Sequence, residues 1–90
     1  MGKSDSDLSE SLSRRDSVVI GRGQDCDVTI KDVKASRRHC KLSRAAEGGF
    51  ILEDLGSRNG TFVEGTRISE PIQLKPKQTF KIGDTVFYIS

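Results

Sequence analysis

The run Thr79-Phe80-Lys81-Ile82-Gly83-Asp84-Thr85-Val86-Phe87-Tyr88-Ile89 decides the fold class. Two short segments rich in β-branched and aromatic residues flank Gly83-Asp84, a dipeptide suited to a tight turn. The run therefore reads as strand, turn, strand. The same punctuation recurs upstream at Gly48-Gly49, Asn59-Gly60 and Glu64-Gly65. Candidate strands between the turns are 17–21, 28–30, 38–43, 49–53, 61–64 and 66–68, with 79–82 and 85–89 forming the final pair. Pro71 and Pro76 flank a stretch ending in Leu74 that suits an edge strand or a loop. No window longer than about ten residues carries a 3.6-residue period. Short strands with turns at this spacing mark an all-β sandwich or barrel.

Composition divides the 90 residues in two. Residues 1–16 are rich in Ser, Asp and Arg, with Leu8 and Leu12 the sizeable apolar side chains after the initiator. So little apolar surface does not offset the ordering entropy, and this stretch is expected to be a disordered tail. Residues 17–90 are long enough for a small core of their own. Cys26 and Cys40 make neither a disulfide framework nor a zinc ligand set. They read as buried small hydrophobes in a reducing, intracellular compartment, cytoplasm or nucleus. No apolar run reaches membrane-spanning length, so no membrane partner is expected. All five aromatics, Phe50, Phe62, Phe80, Phe87 and Tyr88, fall in strand patterns where core packing is their expected role.

The polar residues are more specific. Ser36-Arg37-Arg38-His39 is followed eighteen residues later by Ser57-Arg58-Asn59-Gly60-Thr61, with Gly21-Arg22-Gly23 as a third loop. A guanidinium presents planar, two-pronged donors matched to phosphate oxygens, and a hydroxyl or loop amide fills the remaining lone pairs. Lys31, Lys34, Arg37, Arg38, Lys41 and Arg44 also crowd one stretch whose single acid is Asp32, which favours an anionic partner. Gly21-Arg22-Gly23 is no P-loop, for it lacks the lysine. One histidine, two scattered cysteines and turn-region acids assemble no nucleophile, acid–base pair, cofactor cradle or metal set, so an enzyme is not expected.

In order and spacing, Gly21-Arg22, Ser36-Arg37-Arg38-His39 and the segment from Asp54 through Gly60-Thr61 to Gly65 resemble the signature of the forkhead-associated (FHA) domain. The likeness continues through Leu74 and Phe80-Lys81-Ile82-Gly83-Asp84, covering most of the chain from Val18 to Ile89. The resemblance implies a sandwich of two antiparallel sheets with about 9–11 short strands and phosphothreonine-binding loops at one end. It implies that Arg22 braces the loops on the phosphate side and that Ser36 and Arg37 hydrogen-bond the phosphate. Arg58 would lie beside the phosphothreonine, where the family more often has a small polar residue, and Asn59 would hold the peptide backbone. Gly21, His39, Gly60 and Thr61 would support the loops.

The implied function is docking of threonine-phosphorylated proteins in a kinase signalling pathway. Two other classes stay open at this point. A degenerate scaffold would use the sandwich for phosphate-independent association. The family's opening strand is poorly matched by the polar stretch before Ser17, and an open edge there would invite a homodimer by strand exchange. Nucleic-acid binding through the Lys31–Arg44 patch is disfavoured, because no aromatic is left over as a stacking platform.

Overall fold

The computed structural model describes residues 5–46, 48–75 and 77–89. Pro76 and the first four residues of the expected tail lie outside that range. Among the described residues, ten strands and one short helix occur in the order β1 (Asp5–Asp7), α1 (Ser9–Arg14), β2 (Ser17–Gly21), β3 (Val28–Thr29), β4 (Cys40–Arg44), β5 (Phe50–Asp54), β6 (Phe62–Val63), β7 (Thr66–Arg67), β8 (Ile72–Leu74), β9 (Thr79–Ile82) and β10 (Thr85–Tyr88). They build two five-stranded sheets, ordered β1-β10-β9-β6-β7 and β3-β2-β4-β5-β8. The expected all-β sandwich is what forms, with the stretch before Lys75 supplying an edge strand, β8. Pairing is mainly antiparallel, but β1–β10 and β2–β3 are parallel.

Alternation along the strands decides which face is buried. In β9, Phe80 and Ile82 turn inward while Thr79 and Lys81 are exposed, and β5 buries Phe50 and Leu52. Val18, Ile20, Leu42, Leu52 and Leu74 from one sheet share a core with Phe80, Ile82 and Phe87 from the other. Phe80 and Phe87 stack at a centroid distance of 5.1 Å and an interplanar angle of 12°. Such a pair adds about 0.5–1.5 kcal/mol beyond its area burial. Two aromatics depart from the expected core role. Phe62 and Tyr88 are only half-buried, and Phe62 shares the register row of Arg67 and Lys81.

The expectation of a disordered tail over residues 1–16 is not met between Asp5 and Arg14. Leu8 and Leu12 are 1% and 2% exposed and belong to the core cluster. Their spacing of four puts them on one face of a single helical turn, closed by the Leu12 amide on the Leu8 carbonyl at 3.0 Å. Mean composition hides that pairing; the two leucines supply about 1.5–3 kcal/mol each, which offsets part of the ordering entropy of the segment. Polar bonds fix the rest. The Leu8 amide donates to Tyr88 O at 2.9 Å and the Arg44 amide to Asp16 O at 2.8 Å, while the Arg44 guanidinium donates to Leu12 O. β1 lies parallel on β10 in register Asp5↔Val86. The chain thus covers this edge itself, and the open edge that motivated a strand-exchanged homodimer is occupied.

Leu12→Ala should lower the unfolding free energy by about 2–5 kcal/mol, read from urea denaturation. A loss below about 0.5 kcal/mol would mean the segment contributes nothing to the core.

Candidate phosphopeptide site

Three loops meet where β2 ends, where β4 begins and between β5 and β6. The first contact is backbone to backbone. The Arg22 amide donates to Ser36 O at 3.0 Å and the Gly23 amide to Arg37 O at 2.9 Å. The chains are so close that a Cβ on Gly21 would sit 2.3 Å from Arg37 O, which only glycine avoids. The Cys26 thiol donates to the same Arg37 carbonyl at 3.0 Å. Burial and the neighbouring Asp25 carboxylate push this thiol up, which keeps it a neutral donor. Cys26 is half-buried, whereas Cys40 is fully buried as expected.

His39 joins the second loop to the third. It is 0% exposed. Its Nδ1 accepts the Ser36 amide at 2.9 Å, and Nε2 lies 2.8 Å from Gly60 O. An amide can only donate and a carbonyl only accept, so the ring carries its proton on Nε2. Gly60 holds φ +92°, a backbone state that disfavours any side chain.

Asp54, at the end of β5, gathers the third loop. Its carboxylate accepts the amides of Gly56 at 3.1 Å and Ser57 at 2.9 Å. It also accepts the hydroxyls of Ser57 and Thr61. The Ser57 hydroxyl in turn accepts the Gly60 amide at 3.0 Å. Burial pushes the Asp54 carboxyl up, but the hydrogen bonds from Ser57 and Thr61 outweigh it and hold the group below the usual carboxylate range. Asp32 does similar work for the second loop. It accepts the Lys34 amide at 2.9 Å, and across the molecule the Asp84 amide at 2.8 Å and the Thr85 hydroxyl at 3.0 Å. The Lys34 amide bond is the main cause of the lowered Asp32 carboxyl, assisted by Asp84 and Thr85 against burial.

On this frame, Arg22, Ser36, Arg37, Arg58 and Asn59 line a single cleft with Val33, Lys34 and Ala35. The Ser36 hydroxyl accepts the Arg58 amide at 3.0 Å, which leaves its own proton free to donate. Asn59 donates from Nδ2 to Lys34 O at 2.8 Å, tying the two loops together. The residues expected to support the loops lie behind the cleft: Gly21 at the close approach, His39 in the bridge, Gly60 as its acceptor and Thr61 on Asp54. Sequence reasoning missed Asp32, Asp54 and the apolar Val33–Ala35 wall. The Asp32-x-Lys34 turn pattern was a usable signal for the first of these.

Among the described residues no carboxylate or imidazole lines the cleft, and both ring nitrogens of His39 are engaged beneath it. The arrangement can hold an anion; it offers no base to a nucleophile.

The sequence profile of the FHA domain matches residues 18–83. The chain belongs to the FHA domain family. Among curated relatives, the FHA domain-containing protein FhaB of Mycolicibacterium smegmatis is 37% identical over 70 residues, which are 77% of this chain and 44% of that protein. A solved structure from an analysis of phosphothreonine-dependent FHA domain interactions superposes with a TM-score of 0.72 at 33% identity, covering 81% of this chain and 74% of that one. Mycobacterium tuberculosis EmbR, solved in complex with a low affinity phosphopeptide, gives a TM-score of 0.74 at 27% identity, covering 81% of this chain and 19% of EmbR. The chain spans less than half the length of the curated FhaB proteins it matches. FHA domains are interaction modules, which accords with the chemistry of the cleft.

Because the folded Asp54 carboxyl is depressed, the folded state binds fewer protons than the unfolded chain between the two pKa values. Its stabilisation is full above about pH 4 and is lost as pH falls through the folded value. Asp54→Asn should cost about 1–3 kcal/mol at neutral pH. It should also flatten the fall of stability below about pH 4, in urea titrations at stepped pH. An unchanged acid slope in the variant would show that Asp54 does not govern it.

Proposed function

We propose that the chain is a phosphothreonine-dependent docking module for threonine-phosphorylated partners in a kinase signalling pathway. One observation carries the reading: Arg22, Ser36, Arg37, Arg58 and Asn59, drawn from three loops, converge on one cleft. Among the described residues, Arg22, Arg37 and Arg58 form no ion pair, so their charge is available to a ligand. The phosphopeptide bound by EmbR, at 27% identity to this chain, supports the same reading.

The energetics suit a switch. A peptide without phosphate offers neutral hydrogen bonds worth about 1 kcal/mol net each. The phosphate adds two or three charge-assisted bonds at about 1.5–3 kcal/mol each. Association entropy offsets part of this, giving an affinity on the order of micromolar. Preference for threonine over serine needs an apolar contact for the γ-methyl group. Val33, 80% exposed, and Ala35 supply an apolar wall to the cleft. Asn59 holds the wall's backbone in place through Lys34 O.

Fluorescence-polarisation titration with phosphothreonine, phosphoserine and unphosphorylated peptide libraries tests the reading. Binding should be confined to phosphothreonine and weaken with added salt. It should fall about tenfold or more in Ser36→Ala and in Arg37→Ala. Binding indifferent to phosphate and to Ser36 would transfer the function to a phosphate-independent surface of the same sandwich.

A further inference from the structure

A second cleft opens on the other side of Arg22 and Arg37. Those two arginines line it together with Gly23, Gln24, Thr29, Ile30 and Lys31. It therefore shares both guanidiniums with the first cleft while adding the Gln24 carboxamide from the β2–β3 loop and Lys31 from the segment after β3.

The placement of neighbouring acids gives this cleft its sign. Asp25 pairs with Arg38 at 3.5 Å, and Asp27 pairs with Arg15 at 2.9 Å while accepting the Val19 amide at 2.9 Å. Asp32, beside Lys31 in sequence, is committed to Lys34, Asp84 and Thr85. Each of these three carboxylates is thus partnered, and among the described residues none lines the cleft. Arg22, Lys31 and Arg37 form no ion pair among the described residues. Three exposed cations without an ion-pair partner repel one another, and a bound anion relieves that repulsion. Lys31 lies outside the lining of the first cleft.

We propose that the second cleft is a subsite for a second anionic group, a carboxylate or another phosphate, carried on the same phosphothreonine peptide. The inference rests on the phosphothreonine reading above. The two clefts share side chains, and an extended peptide advances about 3.3 Å per residue, so the second anion sits within about two to four residues of the phosphothreonine. Arg22 and Arg37 act at the junction between both charges; Lys31 and Gln24 serve only the second.

The test uses phosphothreonine peptides with neutral flanks, with paired glutamates before or after the phosphothreonine, and with one phosphoserine in place of those glutamates. Each is titrated against the native chain, Lys31→Ala and Lys31→Glu. Acid on one side should tighten native binding about three- to fivefold. A larger gain from phosphoserine assigns the subsite to phosphate, and an equal or smaller one assigns it to carboxylate. Lys31→Ala should leave the neutral-flank peptide within about twofold of the native chain and remove most of the gain, and Lys31→Glu should reverse it. Acid that gains nothing on either side, or a gain that survives Lys31→Glu, overturns the subsite while the primary reading stands. Failure of the neutral-flank phosphothreonine peptide itself removes both.

Discussion

Everything at the binding end depends on one buried imidazole. His39 accepts the Ser36 amide on one nitrogen and donates a hydrogen bond to the Gly60 carbonyl with the other. Those two backbone groups belong to different loops, each carrying part of the cleft. Loop backbone buried without such a partner would cost about 1–3 kcal/mol per orphaned group. A side chain with one donor and one acceptor in a fixed plane satisfies both at once. A carboxamide could match the donor and acceptor but not the reach across a rigid ring. Asp54 and Asp32 then do for the loop interiors what His39 does for the join, turning flexible polar segments into a preorganised surface.

The allocation of charge follows a pattern that neither net charge nor local composition expresses. Arg15, Lys34 and Arg38 each meet a carboxylate, at distances from 2.9 to 3.7 Å. These pairs are exposed and contribute little stability. What they do is consume the acids. Arg22, Arg37 and Arg58 are left to face solvent around a hydroxyl whose proton is free, and a net charge of +2 becomes a concentrated local field.

Much of this was legible in the sequence. β2 and β9 begin and end where the alternation and the flanking turns place them. The three loops stand out because guanidinium, hydroxyl and carboxamide recur in them, and the resemblance to the FHA signature singles out the five cleft residues. The losses have physical causes. A six-residue helix carrying one leucine, with a second at its N-cap, falls below any compositional threshold, so α1 and its buried contacts read as tail. Parallel pairing of β1 with β10 joins opposite ends of the chain and leaves no local mark. Asp32 marks its own turn at Lys34, but its bonds to Asp84 and Thr85 reach 52 and 53 residues along the sequence and leave no local trace. Strands of two residues, such as β6 and β7, are held by their neighbours rather than by their own propensity, and their bounds could not be sharp.

The docking of residues 5–14 bears on how this domain travels between proteins. The segment by which the family is recognised runs from residue 18 to 83. Leu8, Leu12, Phe87 and Ile89, all buried, lie beyond it on either side, as do both members of the β1–β10 pair. The portable unit is therefore larger than the recognisable one. Transplanted by its signature alone, the module would carry every group of the phosphate cleft and leave behind part of the interior that keeps those groups in register. Recognition is written in the loops; autonomy is written in the flanks.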